Sequence, residues 1–395
     1  MSDFFETAKK TIKPDELISS VYSEYVSNKS LSDVTISMLK DFLDSKNSVK
    51  LPKKDSHKEA VKIIKAICTT FCVQSIKSIM SNVRIIKTSN LVTFIFFGID
   101  KHVKYTITDS NFSKTEDFDI FVANNNLKTF IPVDFSHIEV KDTNIFFDDD
   151  IIPIVDLKDK LPELVDITDV TFSKSTTIET SKLKKLLPFV SKSESRRFAC
   201  GVCIDKNYLV ATDGRSLLKY DLVEDTGFKN HLISFELSNF LCSNVEKFDY
   251  LIESDNNLTT EVIRAGNLEI VFSKYEGNFP PYEVVIPKDE EVYDCLEIKK
   301  DEFLSISKYV DKLCDKKTPK AIIDESKIKL VDSDGVKLNL EKELDFLKDN
   351  TFTLAVNYKN LSDAFSITNN LYLKLLIKNA QSTLIVRDPN DVNFY

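Results

Sequence analysis

The sequence predicts an α+β fold in which one unit, made of strands and two helices, occurs three times. Three basic stretches each carry an apolar stripe with i, i+3, i+7 spacing, which is typical of a helix with one buried face. Successive stripes lie 122 and 120 residues apart, so the repeat has the size of a domain. The stripes are Val61, Ile64 and Cys68; Leu183, Leu186 and Val190; and Phe303, Ile306 and Val310.

A hairpin signal recurs with almost the same period. The segment Leu209–Gly214 matches Leu330–Gly335 at an offset of 121 residues, and in both an apolar strand runs into an Asp-Gly turn. A second helix is predicted in each unit, around Leu127, Phe240 and Leu361. We therefore predict a helical N-terminal extension followed by three similar domains. Their expected bounds are 1–56 for the extension and 57–169, 170–287 and 288–395 for the domains.

Composition is typical of a globular protein in a reducing compartment. Of the 395 residues 42% are hydrophobic and 29% are charged. Apolar runs such as Leu91–Ile99 are shorter than the about 20 residues of a membrane span, and the N-terminus lacks the pattern of a secretory signal. Seven scattered cysteines argue against a disulfide scaffold. Cys200 and Cys203 form a Cys-Gly-Val-Cys motif, but its surroundings predict a strand and so a structural role.

The residue bias and the expected location point to a bacterial setting. Lys, Asn, Ile and Asp are abundant, whereas only seven residues are Gly and none is Trp. Such a bias indicates an A+T-rich genome, and we take it as a hint of a low-GC bacterium or its phage. The expected location is the cytoplasm of a bacterial or phage-infected bacterial cell.

Charge is unevenly distributed along the chain, although the net charge is −9. Residues 115–169 have 14 acidic side chains and 4 lysines, whereas residues 57–87 have 6 basic and 1 acidic. Residues 180–197 have 6 basic and 1 acidic, and residues 299–320 have 7 basic and 4 acidic. Because local field decides what a surface attracts, basic helices on an acidic body are compatible with binding to phosphate.

Motifs of the common enzyme classes are not found in the sequence. There is no Gly-rich phosphate loop, no Gly-x-Ser-x-Gly and no His-Glu-x-x-His, and the four histidines lie far apart. The run Asp148–Asp150 is interpreted as a solvated turn rather than a metal site. We predict no catalytic residue, no metal and no cofactor. A nuclease or polymerase, which is the alternative from another class, would show turnover that depends on a divalent metal.

Two segments resemble the bacterial replicative β sliding clamp (DNA polymerase III β) family. Arg196–Leu217 is similar to the family's strand pair that ends in Val-Ala-Thr-Asp-Gly-His-Arg-Leu, and Ser273–Pro287 is similar to its Gly-Arg-Phe-Pro-Asp-Tyr linker. Asn357–Phe365 also resembles the family's final helix. The resemblance covers residues 172–395 well and 57–171 faintly, and it does not reach residues 1–56.

The resemblance implies a non-enzymatic processivity factor. Two chains would form a head-to-tail homodimeric ring, with antiparallel sheets outside and helices lining a basic inner surface that surrounds double-stranded DNA. Contacts with phosphates would make binding independent of sequence and sensitive to salt. The expected partners are a replicative DNA polymerase, a clamp loader and a second copy of the chain, with no membrane. The candidate DNA-facing residues are Lys62, Lys65, Lys182, Lys185, Lys192, Arg196, Arg197, Lys308 and Lys312. The alternative interpretation is that these side chains only form a solvated helix face and have no role in DNA binding.

The resemblance also implies a pocket for short partner peptides and two edges that close the ring. The pocket residues would be Ala199, Thr212, Gly214, Arg215, Leu217, Pro280, Val284 and Val285. The edges would be formed by Ile151, Ile152 and Ile154 on one side and by Tyr309 and Val310 on the other. By local sequence alone, Thr212–Gly214 is also adequately explained as a plain hairpin turn.

This chain departs from the family pattern at the pocket. Arg215-Ser216 replaces the family's His-Arg, Glu283-Val284 replaces basic residues, and the chain ends in Asn393-Phe394-Tyr395 without the family's last strand. Partner peptides would therefore differ or bind more weakly. Two alternatives keep the fold. One is a clamp relative that serves as a transcription or recombination cofactor, or as a scaffold that does not encircle DNA. The other is a two-domain trimeric clamp, against which the third repeat argues.

Overall fold

The computed structural model describes most of the chain from residue 56 onward. The chain divides into two compact units, residues 1–59 and 60–395. The extension predicted for residues 1–56 lies outside the described residues, apart from Ser56. The described ranges are 56–71, 78–98, 101–157, 172–222, 226–253, 260–275, 277–286, 294–301, 303–305, 320–324, 327–331, 337–343, 353–368, 370–377 and 384–387.

The described part has an α+β architecture in which every strand pairing is antiparallel. The named helices are α1 (Ser56–Thr70), α2 (Asn124–Phe130), α3 (Thr180–Leu186), α4 (Phe235–Asn244) and α5 (Tyr358–Ser366). Residues 300, 301 and 303–305 are also helical. Short 3-10 turns cover Ser78–Ser81, Ser110–Lys114, Leu187–Phe189, Glu194–Ala199 and Tyr282–Val284.

Strands form the larger part of the fold. In the first half of the chain they are β1 (Asn82–Thr88), β2 (Leu91–Phe97), β3 (Lys101–Thr108), β4 (Phe118–Ala123), β5 (Ile138–Lys141), β6 (Asn144–Phe147) and β7 (Asp150–Pro153). The middle contains β8 (Phe172–Glu179), β9 (Gly201–Lys206), β10 (Tyr208–Thr212), β11 (Leu217–Asp221), β12 (Phe228–Ser234), β13 (Lys247–Glu253), β14 (Thr260–Ala265) and β15 (Leu268–Ser273). The last part contains β16 (Asp294–Lys299), β17 (Lys320–Asp324), β18 (Lys327–Val331), β19 (Lys337–Glu343), β20 (Thr353–Asn357), β21 (Tyr372–Ile377) and β22 (Ile385–Arg387).

An eight-stranded sheet joins the first and second parts of the chain. Its strand order is β4-β1-β2-β3-β15-β14-β13-β8. Strands β3 and β15 are far apart in sequence, yet they pair over residues 101–105 and 268–272. The sheet therefore makes one layer out of the strands that precede α2, the strands that follow α4, and β8, which precedes α3.

Smaller sheets complete the structure. The strand orders are β11-β10-β9-β12, β19-β18-β17-β20, β16-β21-β22 and β5-β6-β7. Beyond β7, Ile154 forms a bridge with Val122, and the Val155 amide donates to the Phe121 carbonyl at 2.8 Å. The last residues of this meander thus run beside the outer edge of β4.

Helix boundaries follow local sequence. Ser234 caps α4, because its hydroxyl accepts from the Leu237 amide at 3.3 Å, and Asn357 caps α5, because its side chain accepts from the Lys359 amide at 2.9 Å. Pro188 cannot donate a backbone hydrogen bond, and α3 gives way to a 3-10 turn at Leu187. The predicted second stripe is therefore wrong at its end. Val190 is buried, but it lies outside the helix in an extended conformation.

One continuous core lies between helices and sheets. The α1 stripe of Val61, Ile64 and Cys68 is buried, as are Leu183 and Leu186 of α3. This core also includes side chains from the eight-stranded sheet and from the smaller sheets, for example Ile270 of β15 and Ile204 of β9. In the third stripe Phe303 is fully buried, while Ile306 and Val310 lie outside the described residues.

Of the two predicted Asp-Gly turns, one lies within the described residues and one lies outside them. The first connects β10 to β11 as expected, with Thr212 opposite Leu217. Strands β18 and β19 also pair antiparallel, but their turn at Asp334-Gly335 lies outside the described residues. The segment around Cys200 was expected to be a strand from Arg197 onward. That expectation is wrong, because residues 194–199 form a 3-10 turn and the strand begins at Gly201.

Candidate functional site

Helix α1 presents lysines on the side away from its buried stripe. Lys62 is exposed and Lys65 is half-buried, whereas Val61 and Ile64 next to them are buried. The end of α1 is tied to α2, because the Asn124 side chain donates to the Cys68 carbonyl at 3.2 Å. Lys128 on α2 is also exposed, although it is not among the DNA-facing residues predicted from the sequence. The two helices together thus present basic side chains to solvent.

Helix α3 directs its lysines to two sides. Lys182 and Lys185 are half-buried, and their ammonium groups lie 5.6 and 5.2 Å from the centre of the Tyr220 ring on β11. Lys184 is exposed and lies toward α4, where its charge partly offsets the burial that raises the pKa of Cys242 to about 11. Lys184 is not among the DNA-facing residues predicted from the sequence. A helical projection finds it, because it falls about 100° from Leu183, beside the apolar stripe.

Helices α3 and α4 pack side by side. The Thr180 hydroxyl donates to the Val245 carbonyl at 2.7 Å, and the Cys242 thiol donates to the Thr180 carbonyl at 3.5 Å. Phe71, just after α1, meets Phe240 of α4 edge-on at 4.9 Å between ring centres. Lys101 extends toward Glu236 at 3.5 Å. These contacts bring the helices of the first and second parts of the chain together.

A basic segment follows α3. Lys192 and Arg197 are exposed, and the charge of Lys192 acts on Asp363 of α5, whose pKa burial raises above its usual value. Arg196 is exposed but has a structural contact, because its guanidinium donates to the carbonyl of Asp213. It therefore holds the β10–β11 turn rather than extending freely into solvent.

The Asp213-Gly214 turn is fixed by its own side chains. The Asp213 carboxylate accepts from the amides of Arg215 and Ser216 at 2.8 and 2.7 Å, and the Thr212 hydroxyl donates to the Ser216 carbonyl at 2.8 Å. Gly214 has φ +82°, a conformation that favours glycine. The arrangement leaves Arg215 exposed, while Thr212 is buried.

The segment after β15 docks on the outer face of the β9–β12 sheet. Phe279 and Tyr282 pack on Cys203, Val210 and Leu232 of that sheet. The docked segment, which contains Pro280, Val284 and Val285, therefore lies against the sheet in which strand β10 ends at Thr212. Leu217 and Ile286 pack at the margin of the same cluster.

Polar contacts fix the docked segment. The Tyr282 hydroxyl donates to Asp205 at 2.9 Å, and Lys206 pairs with Glu283 at 3.1 Å. Burial, followed by the hydrogen bond to Asp205, raises the pKa of Tyr282, so the hydroxyl stays protonated and donates.

The expected pocket residues differ in accessibility. Val284 and Val285 are 81% and 57% exposed, so two adjacent aliphatic side chains face solvent. Leu217 and Pro280 are half-buried and Gly214 is exposed, so all five can touch a partner. Ala199 is 1% exposed, so its side chain is not accessible to a partner.

The expected ring-closing residues lie on and just beyond β7. Ile151 is 52% exposed, whereas Ile152 is fully buried in the core and Ile154 is half-buried where it bridges to Val122. Since neighbouring side chains of a strand point to opposite faces, Ile151 is the most exposed of the three. Tyr309 and Val310, together with Lys308 and Lys312, lie outside the described residues.

A metal-binding cluster is not found in the part of the chain that the structure describes. No cluster of His, Cys, Asp and Glu there could hold a metal ion. Cys203 is fully buried, and burial raises its pKa, so it is a poor thiolate. Among the described helices, none is both long and apolar enough to cross a membrane.

Comparison with known proteins identifies the fold but not a close relative. The sequence matches no protein-family model and no curated protein. The solved structure of the DNA polymerase III subunit β from Pseudomonas aeruginosa superposes with a TM-score of 0.68 at 14% identity, over 85% of this chain and 96% of that chain. The chain has the fold of the bacterial sliding clamps.

Other clamps give the same result. The sliding clamp of Bacillus subtilis has a TM-score of 0.67 at 19% identity and covers 86% of this chain and 95% of that one. The Helicobacter pylori β clamp, solved with a DNA ligase peptide, has a TM-score of 0.65 at 18% identity over 85% and 95%. Because the likeness extends over nearly the whole of each clamp, it concerns the complete clamp fold rather than one of its sheets.

Proposed function

We propose that this chain is a sliding clamp, a processivity factor that encircles duplex DNA and tethers a DNA polymerase. The observation that carries the proposal is the match to bacterial clamps over 85% of this chain and 96% of the Pseudomonas aeruginosa subunit. In the proposed ring, three domains over residues 57–169, 170–287 and 288–395 form each chain, with the helices inside and the sheets outside. Residues 1–56 form an extension to it.

The basic helices support binding to DNA. Lys62, Lys65, Lys182, Lys184 and Lys185 lie on the solvent side of helices whose opposite faces are buried. Lysines that meet only phosphates bind without sequence preference and lose affinity as salt rises. A ring needs no tight grip, because topology keeps it on the DNA.

The exposed valines support binding of partner peptides. Val284 and Val285 are exposed in a segment that packs on the sheet that carries Leu217, and apolar side chains of this kind anchor a linear peptide while nearby polar groups fix its direction. We place the polymerase, the clamp loader and other partners at this surface. The Helicobacter pylori clamp was solved with a DNA ligase peptide.

The proposed ring is a head-to-tail dimer. Its mass in solution would be about twice the 45.1 kDa of one chain, and the contact would involve the exposed side of β7 at Ile151 together with Tyr309 and Val310 of a second copy. A monomer at every protein concentration would argue for a clamp relative that acts without encircling DNA, as a transcription or recombination cofactor or a scaffold.

The decisive experiment separates topology from electrostatic attraction. Protein is loaded on nicked circular DNA, excess protein is removed, and half of the sample is linearised. A ring remains on the circle and is lost from the linear DNA at constant salt. If protein remains on both until salt releases it, the chain is an electrostatic binder. If neither form retains it, the proposal fails. A variant with both Lys62→Gln and Lys184→Gln removes two exposed charges. Comparing it with the unchanged chain tests whether binding depends on these lysines.

A further inference from the structure

Two of the lysines on α3 contact the ring of the same residue, Tyr220. It lies on β11, the edge strand of its sheet, and its half-buried ring packs against the core side of that sheet. The ammonium groups of Lys182 and Lys185 lie 5.6 and 5.2 Å from its centre. Because the two lysines are three residues apart, they leave α3 on neighbouring turns and reach the same ring.

The contact changes what the two lysines can do. An aromatic face is electrostatically negative and attracts a cation within about 6 Å of its centre. Two ammonium groups near each other repel, and without the ring they would separate into solvent. A lysine that already has a fixed conformation loses less rotamer freedom when it binds, so less of the binding energy is spent on ordering it.

We propose that Tyr220 is a positioning residue for phosphate binding, which holds Lys182 and Lys185 together as one contact for the backbone of duplex DNA. The inference rests on the proposed function and specifies how α3 would meet DNA. Tyr220 need not touch the nucleic acid, because it acts through the two lysines.

The neighbouring residue supplies an internal control. Lys219 precedes Tyr220 on β11, and its ammonium group lies 3.5 Å from the centre of the Tyr208 ring. Since side chains alternate along a strand, this second pair lies on the opposite face of the sheet, where Val210 and Leu217 pack under the docked segment. Lys219 therefore has the same charge and the same kind of contact but faces away from α3.

The test measures binding of a short labelled duplex by fluorescence anisotropy over a range of salt concentrations. Tyr220→Leu is expected to weaken binding by about three- to tenfold at low salt, because the ring contact and the order that it gives to two lysines are lost. Tyr220→Phe keeps the ring and should bind like the unchanged chain. Lys219→Gln should leave binding unchanged, whereas replacing Lys182 and Lys185 by Gln should reduce the slope of log K against log salt by about 2.

A general structural role is excluded by combining the changes. In a Lys182→Gln, Lys185→Gln background, Tyr220→Leu should have no further effect on DNA binding, since there is nothing left to position. An equal loss in that background, or a loss with Tyr220→Phe as large as with Tyr220→Leu, overturns the inference. If the unchanged chain binds and Tyr220→Leu binds equally well, the inference fails while the proposed function stands. If the unchanged chain shows no salt-dependent binding to duplex DNA, both fail.

Discussion

A buried carboxylate connects three strands beneath the β9–β12 sheet. Glu261 of β14 is 1% exposed, lies 2.6 Å from Nδ1 of His231 on β12, and accepts a hydrogen bond from the Tyr250 hydroxyl on β13. Burial, followed by the charge of Glu261, raises the pKa of Tyr250, which keeps its proton for this contact. A buried charge is tolerated only when polar partners compensate for lost water. The cluster therefore supports packing and offers no opening for chemistry.

Removing this carboxylate should cost more than removing a partner. We expect Glu261→Leu to lower the free energy of unfolding by about 3–5 kcal/mol, because it leaves the two partners buried and unpaired. Tyr250→Phe should cost about 1–2 kcal/mol. Chemical denaturation measures both, and the double variant should lose less than the sum. Glu236→Gln, at an exposed carboxylate, is the control and should change little; similar losses at both glutamates would contradict the assignment.

His102 gives the fold a defined response to acid. It lies on β3 opposite Val271 of β15, and among the described residues its buried Nε2 has no hydrogen-bond partner. Burial lowers its pKa from 6.5 to about 4, with the charge of Lys104 acting in the same direction and that of Glu269 against it. The folded chain therefore holds this histidine neutral where an unfolded chain would protonate it.

The consequence is a loss of stability as pH falls. The contribution of His102 is fully present above pH 6.5 and is lost between pH 6.5 and about 4, because only the unfolded state takes up the proton in that window. Its limit is about 3 kcal/mol from the size of the shift. His102→Leu should flatten this part of the curve of unfolding free energy against pH. Parallel curves for the two proteins would show that His102 does not titrate in this way.

At the scale of elements, β9 depends on a glycine. A Cβ at Gly201 would overlap the backbone carbonyl oxygen of Ile233 on the paired strand β12. Backbone cannot move aside as the end of a side chain can, and the close approach of the two strands therefore requires glycine here. This close contact determines how β9 pairs with β12. Strand β9 follows the basic 3-10 turn and supports the docked segment.

Gly201→Ala should destabilise the sheet. We expect a loss of about 3 kcal/mol or more in the free energy of unfolding, since strand pairing must shift. Gly266→Ala is the matched control. That glycine has φ +57° with no atom within 4 Å of the added carbon, so only the strain of its backbone conformation, about 1 kcal/mol, is expected. Equal losses at the two positions would mean that the contact with Ile233 is easily relieved.

Sequence patterns predict elements well where the signal is local. The stripe of Val61, Ile64 and Cys68 indicates α1 because helical period and burial coincide, and the Asp213-Gly214 turn follows from its residue types. Pro188 was available to predict the early end of α3. Strand alternation could also have separated exposed Ile151 from buried Ile152. The error at the end of α3 came from a signal that was present in the sequence but not used.

Other features cannot be predicted from local sequence. The contact of Lys182 and Lys185 with Tyr220 depends on how α3 crosses β11, and the docking of Tyr282 on Asp205 joins residues 77 positions apart. The resemblance to clamps supplied the pocket residues, but it could not show which are exposed. Burial and distance come only from the packed structure.

At the scale of the molecule, the β3–β15 pairing couples the first half of the chain to the second. Lys104 and Glu269 face each other across it at 3.4 Å, each about three-quarters buried, and Arg264 adds a second contact with Glu269 at 3.1 Å. The Lys104–Glu269 ion pair contributes little to the free energy of unfolding, but changing it tests whether this junction holds. Its neighbours Val103 and Ile270 are buried in the shared core.

Reversing the charge should weaken the junction. Glu269→Lys is expected to reduce the free energy of unfolding by about 1 kcal/mol, because it places three cations together. Adding Lys104→Glu should restore at least part of the loss, as a double-mutant cycle measures. Both strands should lose protection from hydrogen exchange together in the single variant. No recovery in the double variant would show that the pair does not act across the junction.

The same junction has a consequence for synthesis of the protein. Strand β3 is complete once residue 108 has been made, but its partner ends only at residue 273. A growing chain on the ribosome therefore has one edge of β3 with an unsatisfied row of amides and carbonyls while the next 165 residues, from 109 to 273, are made. During that interval the nascent protein is most exposed to aggregation, and a chaperone that covers extended apolar segments would have its greatest effect there.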